Sequence, residues 1–486
     1  MDKRPERRAA SKGRGANRAR NARRTRLAAV ALLTALAVTS CTGGVRGTPG
    51  SSGSRDALFP KLGNDGYDVQ HYSLDLDYDP ATGRLKAGAT IVARATKDLS
   101  AFDLDFAGMD VEKATVDAEP AAVNRAGDEL TLRPHKDLPR GKTFTAYVRY
   151  SGSPKTITDL DGSEEGWLKS PGGGVLALGE PTGSMAWFPS NNHPSDKATY
   201  DIKVTVPDGL QAVSNGELAS TTHNKGRSTF SWRVKEPMAT YLATVAIGPY
   251  EIDDKGMTKS GIPIYNAVDP GVKEQTADVV AQIPDIMAWE EHNFGPYPFS
   301  STGVIVAPEK ASGYALETQN RPVIPLDHFD LSTLVHELAH QWFGDSVTPD
   351  SWSGMWLNEG FAQYSEWLWS EDHDGPTAQQ HFDEEYAKGD GDEIWAFPPA
   401  APPTAAEVSG RPVYVRGAMV VHKIRQAVGD EKFYTLVQDW VRTHRHGNAS
   451  TEEFTRFMDA GAGKKLSAVW DTWLYGDGKP DSPNSP

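Results

Sequence analysis

Residues 57–250 alternate apolar and polar side chains in short runs, a pattern typical of β-strands. The clearest run, Tyr67–Tyr78, has polar residues on one face and places on the other Tyr72, Leu74, Leu76 and Tyr78. Shorter runs of the same kind are Ala89–Ala95, Phe144–Tyr150, Tyr200–Val206 and Tyr241–Ile247. Turn-forming clusters such as Asp79-Pro80 separate these runs. This half is therefore predicted to form an N-terminal antiparallel β domain.

Longer patterns with helical spacing replace the alternation after about Gly256. They cover Lys273–His292, Leu331–Phe343, Asn358–Ser370, Arg416–Val428 and Lys432–His444. A short strand is predicted at Thr302–Ala307, and a Pro- and Ala-rich loop covers Phe397–Pro412. Residues 251–486 are therefore predicted to form a mostly helical domain, which makes the chain a multidomain α+β protein.

The first 40 residues differ from both halves and are predicted to be a lipoprotein signal peptide. A basic, Ala-rich segment precedes Leu27–Val38, an apolar stretch too short to span a bilayer but typical of a signal-peptide core. Small residues then precede Cys41, the only cysteine of the chain, as in a bacterial lipobox. Cys41 is therefore the expected lipidation site, with residues 41–56 as a flexible tether. An ordinary cleaved signal is the alternative, and Arg23-Arg24 leaves a twin-arginine export route open.

Composition and charge exclude several classes of protein. The 486 residues carry a net charge of -15 and include 9% aromatic residues, which excludes a disordered chain. A single cysteine excludes a disulfide scaffold. Because residues 1–40 carry 11 Lys or Arg and only 2 Asp or Glu, the remainder has a net charge of -24 and is expected to bind no nucleic acid. These features fit a protein exported to the outer face of a bacterial cytoplasmic membrane, of unknown oligomeric state.

The sharpest chemical motif is His336-Glu337-Leu338-Ala339-His340. In a helix capped by Asp330, His336 and His340 lie one turn apart on the same face and can share a cation. Glu337 lies beside them, close to a metal-activated water. Glu359 follows after 18 intervening residues, enough for a loop and a returning helix that brings a third ligand. The spacing therefore predicts one catalytic zinc ion with an open position for water, although a chance motif and an exposed Glu359 remain the alternatives.

The zinc motif followed by Asn358-Glu359-Gly360-Phe361-Ala362 resembles the aminopeptidase N family of zinc peptidases, which includes leukotriene hydrolase. The likeness runs from about Tyr67 to Tyr475 and includes the segments Glu180–Tyr200, Ala239–Gly248, Ser312–Gln319 and Pro412–Ala418. It implies a thermolysin-like catalytic domain and an enzyme that removes N-terminal residues from peptides.

The resemblance also implies roles for individual residues. Glu337 would act as the general base, and Tyr414 would donate a hydrogen bond to the oxyanion. The free α-ammonium of a peptide substrate would bind Glu317, with Glu180 as a helper. Backbone carbonyls at Gly313 and Ala315 would approach the substrate.

The sequence also departs from the family pattern. The segment Tyr314-Ala315-Leu316-Glu317-Thr318 replaces the Gly, Met and Asn of the usual G-[AG]-M-E-N but keeps its Glu. The chain ends soon after Tyr475 without a long helical C-terminal domain, so a more open cleft is expected. A zinc endopeptidase, an epoxide hydrolase on the same scaffold and an inactive surface binding protein stay open as alternatives. The retained Glu317 argues against an endopeptidase, and Glu337 with Tyr414 argues against an inactive protein.

Overall fold

A computed structural model describes residues 46–54, 56–170 and 173–485. The predicted signal peptide and the lipidation site Cys41 lie outside these residues. Within them, no helix combines the length and the apolar character needed to cross a membrane.

The N-terminal half is built from β-strands. Their bounds are β1 (Thr48–Pro49), β2 (Ser51–Ser52), β3 (Asn64–Asp65), β4 (Tyr67–Asp79), β5 (Arg84–Ala95), β6 (Leu99–Asp105), β7 (Asp110–Val116), β8 (Glu119–Pro120), β9 (Ala122–Ala126), β10 (Glu129–Arg133), β11 (Thr143–Gly152), β12 (Thr156–Thr158), β13 (Glu164–Ser170), β14 (Gly174–Leu178), β15 (Lys197–Pro207), β16 (Gln211–Ser214), β17 (Glu217–Asn224), β18 (Arg227–Ala239) and β19 (Val245–Gly248).

The largest sheet of this half has eight strands in the order β17-β18-β15-β4-β5-β11-β7-β8. The alternation predicted for β4 is confirmed, because its four apolar side chains from Tyr72 to Tyr78 are buried while Asp75 and Asp77 are exposed. Two pairs of this half depart from the antiparallel prediction: β1 runs parallel to β6, and in the largest sheet β4 runs parallel to β15, with Tyr72 opposite Tyr200. A five-stranded sheet, β12-β13-β14-β19-β16, lies closest in sequence to the candidate site residue Glu180.

Two segments of this half differ from the sequence prediction. The strand predicted over Tyr241–Ile247 begins at Val245, because Thr240–Leu242 forms a 3-10 turn that buries Tyr241. Part of the predicted tether is paired rather than free: β1 pairs with β6 and β2 pairs with β3. The side chain of Asp56 then accepts a hydrogen bond from the backbone N–H of Trp352 at 2.9 Å, so this segment packs on the folded protein.

The C-terminal half combines a small sheet with helices. Its strands are β20 (Glu251–Met257), β21 (Pro263–Val268), β22 (Ile305–Ala307), β23 (Val323–Pro325), β24 (Thr348–Pro349) and β25 (Asn448–Ala449). Its helices are α1 (Lys273–Val280), α2 (Ile283–Phe294), α3 (Leu331–Ala339), α4 (Trp356–Asp372), α5 (Ala378–Tyr386), α6 (Gly417–Val428), α7 (Asp430–His444), α8 (Thr451–Ala462) and α9 (Ser467–Val469). The predicted α+β class is therefore confirmed.

The helix boundaries correct the sequence prediction in three places. The single helix expected over Lys273–His292 is divided into α1 and α2, and Pro284 lies in the first turn of α2, where a missing N–H is tolerated. The zinc-motif helix α3 ends at Ala339, not at Phe343. Helices α5 and α8 were not predicted, although each begins with a capping box that the sequence displays.

Candidate active site

Helix α3 carries the two histidines of the zinc motif. Asp330 caps this helix as predicted, because its carboxylate accepts from the backbone N–H of Thr333 at 2.8 Å. The apolar face of the helix is fully buried and fixes its rotation in the core through Leu334, Val335, Leu338 and Ala339. His336 and Glu337 lie in the last turn of the helix, and His340 is the residue that caps its C-terminus.

Helix α4 brings Glu359 back to the two imidazoles. One carboxylate oxygen of Glu359, Oε2, lies 3.2 Å from Nε2 of His336 and 3.4 Å from Nε2 of His340. All three residues are buried, and their ligand atoms lie within 4.8 Å of one another. Two imidazole nitrogens and one carboxylate oxygen are the donor set of many catalytic zinc sites. The residues present therefore fit a zinc ion.

The Nδ1 atoms of the two imidazoles, which point away from Glu359, also form hydrogen bonds. Nδ1 of His336 donates to Oε1 of Glu366 at 2.7 Å, and Nδ1 of His340 donates to the Phe343 carbonyl at 3.0 Å. With acceptors at Nδ1, each ring keeps the proton there and presents its Nε2 lone pair to a cation. Sequence reasoning missed Glu366. Its spacing of seven from Glu359 puts both carboxylates on the same face of a helix and could have indicated it.

Glu317 lies in the loop before β23, close to His340 and Glu359. Backbone bonds between Leu316 and Val323 fix this loop, and the Gln341 side chain donates to the Glu317 carbonyl at 3.2 Å. The Glu317 side chain is only 3% exposed, and its Oε1 has no hydrogen-bond partner among the described residues. Burial raises the pKa of this carboxyl above its usual range. Glu317 therefore places a buried carboxyl group next to the candidate zinc ligands.

Glu180 reaches the same place from the β-rich half. Its ligand oxygen lies within 4.8 Å of those of Glu317 and Glu359. The Tyr314 hydroxyl donates to the Glu180 carbonyl at 3.4 Å. The turn that follows Glu180 is bound by Glu165 of β13. The Glu165 carboxylate accepts from the backbone N–H groups of Thr182 at 3.0 Å and of Gly183 at 2.9 Å, and from the Thr182 hydroxyl. Glu165, which sequence reasoning did not identify, thus anchors the turn that follows Glu180.

Tyr414 lies in a π-helical turn, Pro412–Arg416, directly before α6. Its ring stacks on His336 with centroids 6.0 Å apart. Arg416 ties this turn to the C-terminal segment, donating to the Trp473 carbonyl at 3.0 Å and to the Thr472 carbonyl at 3.1 Å. Burial raises the pKa of the Tyr414 hydroxyl well above its usual value, so this group is a hydrogen-bond donor at neutral pH.

Comparison with known proteins agrees with this geometry. Residues 68–242 match the Peptidase M1 N-terminal domain, and residues 327–473 match the Peptidase family M1 domain. The chain belongs to the M1 peptidase family. The predicted resemblance to the aminopeptidase N-like zinc peptidases is thereby confirmed.

Solved structures of M1 relatives are similar over nearly the whole chain. An M1 zinc metallopeptidase from Deinococcus radiodurans is 28% identical with a TM-score of 0.82, covering 89% of this chain and 99% of its own. A mutant of the Deinococcus radiodurans M1 zinc metallopeptidase has been solved bound to a Tyr-Ser-Ala substrate, at 27% identity, a TM-score of 0.82, and coverage of 89% of this chain and 100% of its own. The fold predicted for the two halves of the chain is thus that of the M1 peptidases.

Curated M1 relatives are longer proteins. Aminopeptidase M1 of Arabidopsis thaliana is 29% identical over 332 residues, which cover 62% of this chain and 36% of the relative. Glutamyl aminopeptidase of Bos taurus is 28% identical over 327 residues, or 62% of this chain and 34% of the relative. The match to each of these two spans only about a third of the relative's own length.

In this M1 chain, every residue predicted for the site lines one cavity of about 340 Å³. The residues that were predicted are Glu180, Gly313, Ala315, Glu317, His336, Glu337, His340, Glu359 and Tyr414. Asp161, Ser163, Pro181, Tyr314 and Ser409 complete the lining. The lining therefore holds five carboxylates and, within the described part of the chain, no Lys or Arg.

The pKa values of two carboxyl groups in this cavity are shifted in opposite directions. Burial raises the pKa of Glu337 to about 8, with the nearby Glu317 acting in the same direction. Burial alone would also raise the pKa of Glu359, but His340 and His336 hold it at about 2. Glu359 is therefore anionic at neutral pH, whereas Glu337 can hold or release a proton. This division suits one residue for metal binding and the other for proton transfer.

Proposed function

We propose that this M1 family member is an aminopeptidase that hydrolyses the first peptide bond of substrates with a free N-terminus and uses a single zinc ion. One observation carries the proposal: beside the three zinc-ligand residues lies Glu317, a buried carboxylate whose Oε1 has no partner among the described residues. Keeping such a carboxylate ionised in a buried place costs free energy unless a positive charge pairs with it. The ammonium of a peptide N-terminus supplies that charge.

The reaction depends on a metal held by His336, His340 and Glu359. Zinc bound there supplies a Lewis acid that lowers the pKa of a water molecule and polarises a carbonyl. Glu337 adjoins these ligands in the cavity, where it takes the proton of the attacking water and passes it to the leaving amine. Burial raises the pKa of Glu337 above the usual range, which makes it a stronger proton acceptor than an exposed carboxylate.

Tyr414 stabilises the charge that develops during the attack. Its hydroxyl lines the cavity and stays protonated at neutral pH, so it donates to the oxyanion that forms on the scissile carbonyl. The buried contacts of Arg416 hold the turn that carries Tyr414 in place before substrate arrives. Such preorganised donors act mainly in the transition state.

The exopeptidase specificity follows from the position of the carboxylates. Glu317 and Glu180 together accept from the substrate ammonium, which fixes the peptide N-terminus close to the zinc ligands. A longer chain on the N-terminal side would replace that charge with a neutral amide and leave the buried Glu317 unpaired. An endopeptidase has no need for such a pair of acidic residues at this place.

Paired substrates test the proposal. We expect the zinc-loaded protein to cleave aminoacyl amides with a free amine and to lose this activity when the amine is acetylated. Glu317→Ala should lower kcat/KM sharply for free-amine substrates and leave the acetylated ones poor. Equal cleavage of free and acetylated substrates by the wild type would exclude an aminopeptidase and favour the endopeptidase.

We further propose that the mature protein is anchored to the outer face of a bacterial cytoplasmic membrane through lipid on Cys41. The apolar segment Leu27–Val38 and the small residues that precede this cysteine support the proposal. The zinc peptidase would then act on peptides outside the cytoplasm.

A further inference from the structure

The carboxylates around the position assigned to the substrate ammonium form a set of potential metal ligands that contains no histidine. Ligand oxygens of Glu180, Glu317 and Glu359 lie within 4.8 Å of one another. Glu359 contacts both zinc-ligand imidazoles through Oε2 alone. A carboxylate has two oxygens, so Glu359 also offers its Oε1 as a potential ligand.

Glu317 distinguishes this set from an ordinary acidic patch. The residue is 3% exposed, and its Oε1 is fully buried without a partner in the described part of the chain. The cavity lining includes neither Lys nor Arg among the described residues. An ionised buried carboxylate without a partner is unfavourable, so a bound cation or ammonium group would stabilise the anionic form of Glu317.

We propose that Glu180, Glu317 and Glu359 bind a second divalent cation, which takes the place of the substrate ammonium and inhibits the enzyme competitively. This inference rests on the proposed aminopeptidase function, because the same carboxylates are assigned there to the ammonium. Three carboxylate oxygens suit hard cations such as Mn²⁺, whereas the set with two imidazoles suits zinc. The two cations are therefore separated by ligand chemistry.

Titration of the zinc-loaded protein with Mn²⁺, followed by the electron paramagnetic resonance signal of free Mn²⁺, tests this site without any turnover. Among the divalent first-row ions Mn²⁺ binds most weakly to mixed nitrogen and oxygen ligands, so it leaves the zinc in place. We expect one Mn²⁺ per chain with full retention of zinc. Glu317→Gln should weaken Mn²⁺ binding by about a hundredfold or more, because a buried anionic ligand is lost. Glu180→Gln gives the same readout if the first variant fails to fold.

Asp161→Asn provides the matched control. Asp161 lines the same cavity but does not belong to the ligand set. Its Oδ1 accepts from the backbone N–H of Ser163 at 2.8 Å and from the Ser163 hydroxyl at 2.7 Å, contacts that an Asn side-chain oxygen retains. The control therefore removes one exposed charge from the cavity with no loss of a ligand. Its effect on Mn²⁺ affinity should stay below about fivefold.

Steady-state kinetics complete the test. Added Mn²⁺ should raise KM for a free-amine aminoacyl amide and leave kcat unchanged. The proposal is overturned if the zinc-loaded wild type binds no Mn²⁺, or if both Glu317→Gln and Glu180→Gln bind it as the wild type does. Failure of the proposed aminopeptidase function gives a different result: no free-amine substrate is cleaved even without manganese, while Mn²⁺ binding is measured in the absence of substrate.

Discussion

Removal of Glu366 should weaken zinc binding although this residue is not a ligand. Its Oε1 accepts from Nδ1 of His336 at 2.7 Å, and its Oε2 accepts from the hydroxyl of Ser332 at 2.6 Å. The carboxylate thus fixes both the orientation of the His336 ring and the nitrogen that carries its proton. Loss of such a partner typically lowers metal affinity by about 10- to 100-fold. For Glu366→Ala this corresponds to about 1.4–2.7 kcal/mol of zinc-binding free energy.

The contacts of Glu366 also predict an order of zinc affinity among variants at this position. Glu366→Gln keeps a side-chain oxygen for Nδ1 of His336 but loses the negative charge, so its zinc affinity should lie between those of the wild type and Glu366→Ala. Glu384, which is exposed on α5, provides the control variant Glu384→Ala with unchanged affinity. The measurement is competition of the metal-free protein with a chromophoric zinc chelator, with circular dichroism as a check of folding. Wild-type zinc affinity in Glu366→Ala would refute the reasoning.

Three further changes have definite expected outcomes. Tyr414→Phe should lower kcat far more than it raises KM, because its hydrogen bond strengthens in the transition state; an effect on KM alone would contradict the role. Glu290 is fully buried in α2, neither of its oxygens has a partner in the described part of the chain, and burial raises its pKa well above 4.5. The folded state therefore keeps a proton that the unfolded chain releases as the pH rises, so the contribution of Glu290 to wild-type stability falls with increasing pH by up to about 1.4 kcal/mol per pH unit. The difference in Tm between Glu290→Met and the wild type should thus widen between pH 5 and pH 8. The exposed control Glu274→Gln should show no such change. A Tm difference that is independent of pH, or an equal change in the control, would refute this account. Cys41→Ser should release soluble, active enzyme or stall its processing, and a normally cleaved variant that stays fully bound to membranes would contradict the lipid anchor.

Sequence patterns predicted the local features of this protein because those features depend on neighbouring residues. The alternation from Tyr72 to Tyr78 follows from the pleat of one strand, and the spacing of His336 and His340 follows from one helical turn. Two boundaries were not predicted, because the periodicity of the sequence continues through them: the division of the first long helix near Pro284 and the 3-10 turn at Tyr241. Pro284 is a local signal for the first of these boundaries, since proline is favoured in the first turn of a helix.

Other contacts that support the active site could not be predicted, because they join residues far apart in the sequence. Arg321, four residues after Glu317, is fully buried and donates to the Ser214 carbonyl at 2.6 Å, the Gly216 carbonyl at 2.6 Å and the Tyr265 carbonyl at 3.1 Å. In the sequence it resembles any surface arginine, since no acidic residue adjoins it. Its acceptors are main-chain oxygens. Because every residue has such an oxygen, the sequence does not indicate which ones Arg321 binds. The bonds to Ser214 and Gly216 join the loop that carries Glu317 to the β-rich half that carries Glu180. The sequence could thus identify the two carboxylates, but not the contacts that bring them to the same point.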